Sequence, residues 1–226
     1  MKADKCLNCF YQADGINSLN DEFGDEFPHQ CVQANFKKGE IIFKENALSS
    51  NIIYLQKGLV KLTKEGIQRT QILNIRKAPC YLGLPTTMGD KINHYSAIAM
   101  EDSTACFVDI SVFRRLLNKN PDFSYDIIVE LCRNELGQFE RCVKLVQNQI
   151  YGRLAGNLLY FSEEIYESDD YIIPFNRNEL ADLVCTSRET ISRLLSELTE
   201  DNIISLKGKH IKILNKSILQ KISEKG

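Results

Sequence analysis

The chain has 226 residues, 43% hydrophobic and 26% charged, which suits one large globular domain or two small ones with material for a core. No apolar run reaches the length of a membrane span, and the start Met1-Lys2-Ala3-Asp4-Lys5 lacks the apolar stretch of a signal peptide, so a cytoplasmic location is expected. A net charge of −2 excludes binding through a generally basic body; eight cysteines in no disulfide-framework spacing point to free thiols in a reducing compartment.

From about Cys31 to Ile110 the pattern is strand-like. Glu40–Lys44, Asn51–Leu55 and Leu59–Thr63 are short apolar-rich runs bounded by turn formers such as Lys38-Gly39 and Lys57-Gly58. Thr70–Ile75, Tyr95–Ala99 and Ala105–Val108 continue the series. Many short strands at regular spacing predict an antiparallel sandwich or roll, not a parallel α/β sheet.

A long helix follows. Tyr125, Val129, Cys132, Leu136, Phe139, Val143, Val146 and Ile150 alternate at steps of four and three, which is a heptad seam for packing against a partner helix. The competing reading is that the seam packs on the chain's own roll. A patchier stripe of Ile128, Leu131 and Leu145 serves that purpose, leaving the regular seam for a second copy. Leu154, Leu158, Leu159, Phe161 and Ile165 then continue a helix to about Glu167, and Ser168-Asp169-Asp170 is read as a loop into a further domain. Cys132 and Cys142 read as helix packing.

Asn176 to Leu195 reads as two short helices around a tight turn. Leu180, Leu183 and Val184 form an apolar stripe on the first, and Ile191, Leu194 and Leu195 on the second. Thr186 followed by Glu189 is a capping-box spacing, which starts the second helix at about Ser187. That helix presents Arg188, Glu189, Ser192 and Arg193 near its N-terminus, where a recognition helix meets base edges in the major groove, and Thr186 and Ser187 just before it are counted in the same DNA-binding set. Arg can contact guanine through two nitrogens and Glu can accept from cytosine. The bland alternative, a solvated charged face, is outweighed because helix, turn, polar set and the following hairpin agree. Cys185 fills the turn. Ile203–Leu206 and His210–Leu214 flank a glycine turn; this makes a wing whose Lys207, Lys209 and His210 reach toward phosphates. From Tyr171 onward there are nine basic and seven acidic residues, so affinity rests on where these cations stand.

At Ser187-Arg188-Glu189-Thr190 and Arg193 the chain resembles the CRP/FNR superfamily of bacterial transcription regulators. The catabolite activator branch shares Arg188, and the oxygen-responsive branch shares Glu189, Ser192 and Arg193. Lys38–Phe43 and Tyr54–Leu62 resemble the opening strands of that family's cyclic-nucleotide-binding β-roll. The resemblance implies an α+β chain in three parts: an antiparallel β-roll sensor over 1–120, a dimerisation helix over 121–150, and a winged helix-turn-helix over 151–226. It further implies a homodimer on a palindromic operator, with RNA polymerase as a partner.

The same resemblance places an effector pocket at Tyr81, Leu82, Gly83, Leu84, Tyr95, Ser96 and Ala97, with Gln138 and Phe139 where the family's adenine contacts stand. The family's ribose-binding Glu is replaced by Tyr81 and its phosphate-binding Arg by Tyr95. A buried phosphate without a cationic partner loses its main contact, so cyclic AMP is not the expected ligand. The site is expected to take another molecule, flatter and more apolar, or none. The oxygen-sensing members hold an iron–sulfur cluster on four cysteines. Cys6, Cys9 and Cys106 match three of those positions, but Gly15 stands near where the fourth is required. His94, Cys80 and Met88 are the candidates for haem ligation. A redox or metal sensor whose thiol chemistry is primary is therefore the alternative to a regulator governed by an unidentified signal. No nucleophile–base set, P-loop or GxGxxG supports an enzyme.

Overall fold

The computed structural model describes residues 31–67 and 69–226, which divide into two compact units; the chain passes from the first to the second between Asn134 and Glu135, and the first residues of β5, Thr70–Ile72, group with the second. Cys6 and Cys9 lie outside the described residues. In chain order the first unit contains β1 (Cys31–Phe36), β2 (Ile41–Phe43), β3 (Asn51–Lys57), β4 (Leu59–Glu65), most of β5 (Thr70–Lys77), β6 (Cys80–Leu82), α1 (Leu84–Met88), β7 (Ser96–Ala99), β8 (Ser103–Asp109) and α2 (Ile110–Lys119). It also contains the start of α3 (Pro121–Gln147). The strands make two four-stranded sheets, ordered β1-β8-β3-β6 and β2-β7-β4-β5. β1 with β8, β8 with β3, β3 with β6, β2 with β7 and β7 with β4 pair antiparallel, as the short alternating runs required.

Two apolar clusters fill this roll. Ile42, Leu55, Val60, Leu82 and Ala97 form one. Ile52, Tyr54, Tyr81, Val108, Phe113 and Phe123 belong to the other, which carries the start of α3. Phe123 stands edge-on to Phe113 at 5.6 Å, and Ile127 is buried one turn on, with Leu131 packed against the same cluster. The roll-facing stripe is therefore Phe123, Ile127 and Leu131. Ile128, expected on that face, is 56% exposed because it lies a quarter-turn from Ile127. Arg76 ties the same helix to the roll by donating to Asn134 Oδ1 at 2.6 Å. At Gly58, between β3 and β4, φ is +106° and a Cβ would stand 2.8 Å from the Ser103 backbone, so only glycine fits.

The second unit continues α3 and adds α4 (Ile150–Tyr160), a single π-helical turn (Phe161–Ile165), β9 (Asp170–Ile172), α5 (Arg177–Val184), α6 (Arg188–Glu200), β10 (Ile204–Lys207), β11 (His210–Ile213) and α7 (Lys216–Lys225). The long helix stops at Gln147, and extended backbone at Gln149 starts a new helix, so Ile150 does not extend the seam. The helix expected to reach Glu167 instead ends in the π-turn. Asp170, expected in a loop, opens a strand. The wing is thus three-stranded, in the order β10-β11-β9. Tyr171 on β9 anchors it by donating its hydroxyl to Leu158 O at 2.8 Å. Leu154, Leu158, Phe161, Phe175, Leu198 and Leu219 are wholly buried and form the core of this unit. Among the described residues no helix is long and apolar enough to cross a membrane.

Candidate nucleic-acid interface

Helix α5 begins with a reciprocal cap: the Asn176 side chain accepts from Glu179 N, and Glu179 reaches back to Asn176 N at 2.8 Å. Its apolar stripe, Leu180, Ala181, Leu183 and Val184, is buried as the periodicity required. The turn passes through Cys185 in a left-handed conformation (φ +61°), which reverses the chain without a glycine. The capping box expected from Thr186 and Glu189 does not form. Thr186 is 8% exposed, and Ser187, on extended backbone, caps α6 by accepting from Thr190 N at 3.2 Å. The Glu189 carboxylate instead bonds its own amide and the Ser187 hydroxyl, which holds it below the usual carboxylate range.

Ile191, Leu194, Leu195 and Leu198 fix one side of α6 in the core. Arg188, Glu189, Ser192 and Arg193 are consequently exposed together on its outer face. Ser192 Oγ donates to Arg188 O at 3.0 Å, and Arg193 Nη1 donates to Glu197 Oε1 at 2.5 Å. At the wing, Lys207 and Lys209 are exposed around the Gly208 turn, and Lys209 Nζ lies 3.4 Å from Pro174 O. His210 is not at the free tip; its ring nitrogen is engaged by Asp170.

Three residues that periodicity did not single out contribute. Arg177, the first residue of α5, donates to Gly208 O at 3.3 Å and lines a notch of about 380 Å³ with Arg188 and Lys209, a cationic recess beside the recognition face. Its position next to the Asn176 cap was the available signal. Arg153 donates to Val184 O at 3.0 Å and Asn148 O at 3.0 Å, so one guanidinium links the end of α3 to the carbonyl end of α5. Glu197 is the third, and its spacing of four residues from Arg193 on α6 was the available signal.

The residues expected to form an effector pocket are a second, separate set. Tyr81 is 7% exposed, its ring 5.0 Å from Tyr54 and 6.0 Å from Phe113; burial pushes its phenol well above the usual range. Leu82, Leu84 and Ala97 are buried, and Gly83 caps α1 with φ +73°. Tyr95 packs on Phe43 at 5.6 Å, and its hydroxyl takes a hydrogen bond from the Gly83 amide. Ser96 Oγ accepts from Glu45 N at 2.9 Å. Two aromatic side chains thus stand where the resemblance placed a carboxylate and a guanidinium. Gln138 and Phe139 are exposed on α3.

Cys106 is fully buried on β8, opposite Tyr54, in the cluster that includes Cys31. Cys80 is buried in the other cluster, while His94 is exposed and bonded to Asp90 at 2.7 Å, and Met88 is exposed. No group of three or more His, Cys, Asp or Glu side chains among the described residues is placed to hold a metal ion. Cys132 and Cys142, expected to pack, are both exposed on α3.

A two-sheet antiparallel roll, a long helix and a winged helix-turn-helix define a DNA-binding transcription regulator with a sensor-type domain. Residues 33–120 match the cyclic nucleotide-binding domain family and residues 152–222 the Crp-like helix-turn-helix domain family. The chain is 27% identical over 195 residues to the fumarate and nitrate reduction regulatory protein of Vibrio cholerae, covering 83% of this chain and 76% of that one. It is 26% identical over 210 residues to the nitrogen fixation regulation protein FixK of Bradyrhizobium diazoefficiens, covering 89% and 86%. The solved structure of FixK2 from Bradyrhizobium japonicum superposes with a TM-score of 0.77 at 18% identity, over 85% of this chain and 96% of that one. The chain belongs to the CRP/FNR family of transcription regulators.

Proposed function

We propose that the protein acts as a homodimer that reads a palindromic operator, with α6 of each copy in the major groove. The observation that carries this reading is the two-sidedness of α6: four apolar residues lock one side, and Arg188, Glu189, Ser192 and Arg193 are exposed on the other, near the N-terminal end. Arg188 and Arg193 each suit a bidentate guanine contact, and Glu189 an acceptor role toward cytosine. Arg177, Lys207 and Lys209 flank that face and supply phosphate contacts, which set position and not sequence. Supporting the dimer, Tyr125, Leu136, Phe139, Val143 and Val146 are all more than half exposed along one face of α3, an apolar stripe a lone chain leaves in water. A two-fold pair places two recognition helices one DNA turn apart. RNA polymerase is the partner that the family relationship supplies.

The governing signal acts at the β-roll and is not cyclic AMP, because Tyr81 and Tyr95 offer neither a carboxylate for a ribose nor a cation for a phosphate. Titration calorimetry with cyclic AMP should show no binding at sub-millimolar concentration; micromolar affinity would refute this. Binding selection on random duplexes tests the DNA reading. A palindrome with half-sites about one turn apart is expected, and recovery of none would remove the recognition-helix assignment.

A further inference from the structure

Arg193 does not stand alone on the recognition face. Its Nη1 is held by Glu197, one turn further along α6, at 2.5 Å. The pair is exposed, with side chains 62% and 42% accessible, and it runs Arg-to-Glu, the less favourable direction along a helix. Its contribution to helix stability is therefore small, and its consequence lies in geometry. A guanidinium carries five N–H donors in one plane. One carboxylate on Nη1 leaves Nη2 and Nε, the pair of donors along another edge, available to a base.

The surroundings fix which side the carboxylate occupies. Glu197 and Arg193 itself line a notch of about 540 Å³ with Tyr151, Arg153 and Thr190, on the flank of α6 toward the start of α4. Burial, then the carboxylates of Asp201 and Glu197, pushes the Tyr151 phenol up, which sets that ring near both. Glu197 thus holds the Arg193 guanidinium at the rim of the notch through Nη1. The Nε–Nη2 edge is the one left for the exposed face that Arg193 shares with Arg188, Glu189 and Ser192.

We propose that Glu197 is a specificity-determining positioning residue: it orients Arg193 for a base contact and penalises DNA on which that contact is not made. The inference rests on the base-reading role assigned to Arg193 above. Two physical effects act together. An arginine already held in one orientation loses less conformational freedom when it binds a base. The Glu197 carboxylate also repels phosphates wherever no base contact compensates, which is discrimination by a repulsive element.

The test uses the full chain and two duplexes: the palindrome selected by the unaltered protein and a scrambled duplex of equal length, measured by fluorescence anisotropy at one fixed salt concentration. Glu197→Gln should weaken binding to the palindrome by about fivefold to tenfold, while binding to the scrambled duplex stays level or tightens. In an Arg193→Ala background the same substitution should no longer weaken the palindrome complex. Equal tightening on both duplexes would reduce Glu197 to bulk charge and overturn the proposal. Equal weakening on both, with a lowered melting temperature, would make it a fold-stabilising residue and also overturn it. If the unaltered protein selects no palindrome, the base-reading assignment fails first and takes this proposal with it; that outcome is seen before any variant is made.

Discussion

Phe139 offers a direct test of the assembly. Its side chain is 59% exposed on a helix face that also carries Leu136 at 60% and Val143 at 51%. Full burial of a phenylalanine stabilises by up to about 3 kcal/mol, so covering three-fifths of one contributes up to about 1.8 kcal/mol per copy and about 3.6 kcal/mol per pair. Phe139→Glu removes that contribution. It also sets two carboxylates near one another in an apolar seam, which adds at least about 2 kcal/mol. At about 1.4 kcal/mol per tenfold, the dimer dissociation constant should rise by more than about a thousandfold. The single chain should hardly notice, because a largely exposed helix position tolerates glutamate within about 0.5 kcal/mol. Sedimentation across a concentration series, with a thermal melt of the same samples, separates the two effects. A variant that sediments as a dimer over the same range as the unaltered protein would refute the seam. So would a variant whose individual chain unfolds, because Phe139 would then belong to the chain's own core.

The seam also contains its own cross-linking probe. In a parallel two-fold pair Cys132 faces its counterpart, and mild oxidation of a variant retaining only that cysteine should give a disulfide-linked dimer on a non-reducing gel; a Cys142-only variant should remain monomeric, and the reverse result would rotate the interface. On DNA, Arg193→Ala should abolish the preference for the palindrome over scrambled duplex at a cost of about 1–3 kcal/mol. Lys209→Ala should weaken both duplexes equally and lower the slope of affinity against salt concentration by about one. Unchanged preference in the first variant would remove Arg193 from base reading. In the roll, Gly58→Ala should cost about 2–4 kcal/mol, from positive φ and the close approach to Ser103; a urea midpoint unchanged from the parent would show that the turn can move aside.

What could be read in the chain itself was whatever depends on local period and residue chemistry. The roll strands, the apolar stripes of α5 and α6, and the polar set on α6 follow from alternation and from helical spacing, which each segment specifies without its neighbours. The reading of Tyr81 and Tyr95 in place of a carboxylate and a guanidinium came from the family resemblance, not from periodicity. Choices between near-equal local options were not legible. Thr186 and Ser187 are both good caps, and the helix begins after Ser187 because Thr186 is drawn into the core. Both Ile127 and Ile128 can pack on a roll, and the phase of α3 set by Phe123 against Phe113 decides for Ile127. The seam spacing runs unbroken to Ile150, yet the helix stops at Gln147, because a 4-3 period counts residues and carries no signal for a break in backbone. Asp170 to Ile172 is too short to announce a strand, and it becomes one by pairing with β11, a partner about forty residues away. The roles of Arg153 and Arg177 belong to the same class; Glu197, four residues after Arg193 on one helix, does not, because that spacing is local. A guanidinium in the sequence is only exposed or paired, and which carbonyl it meets is settled when the elements dock.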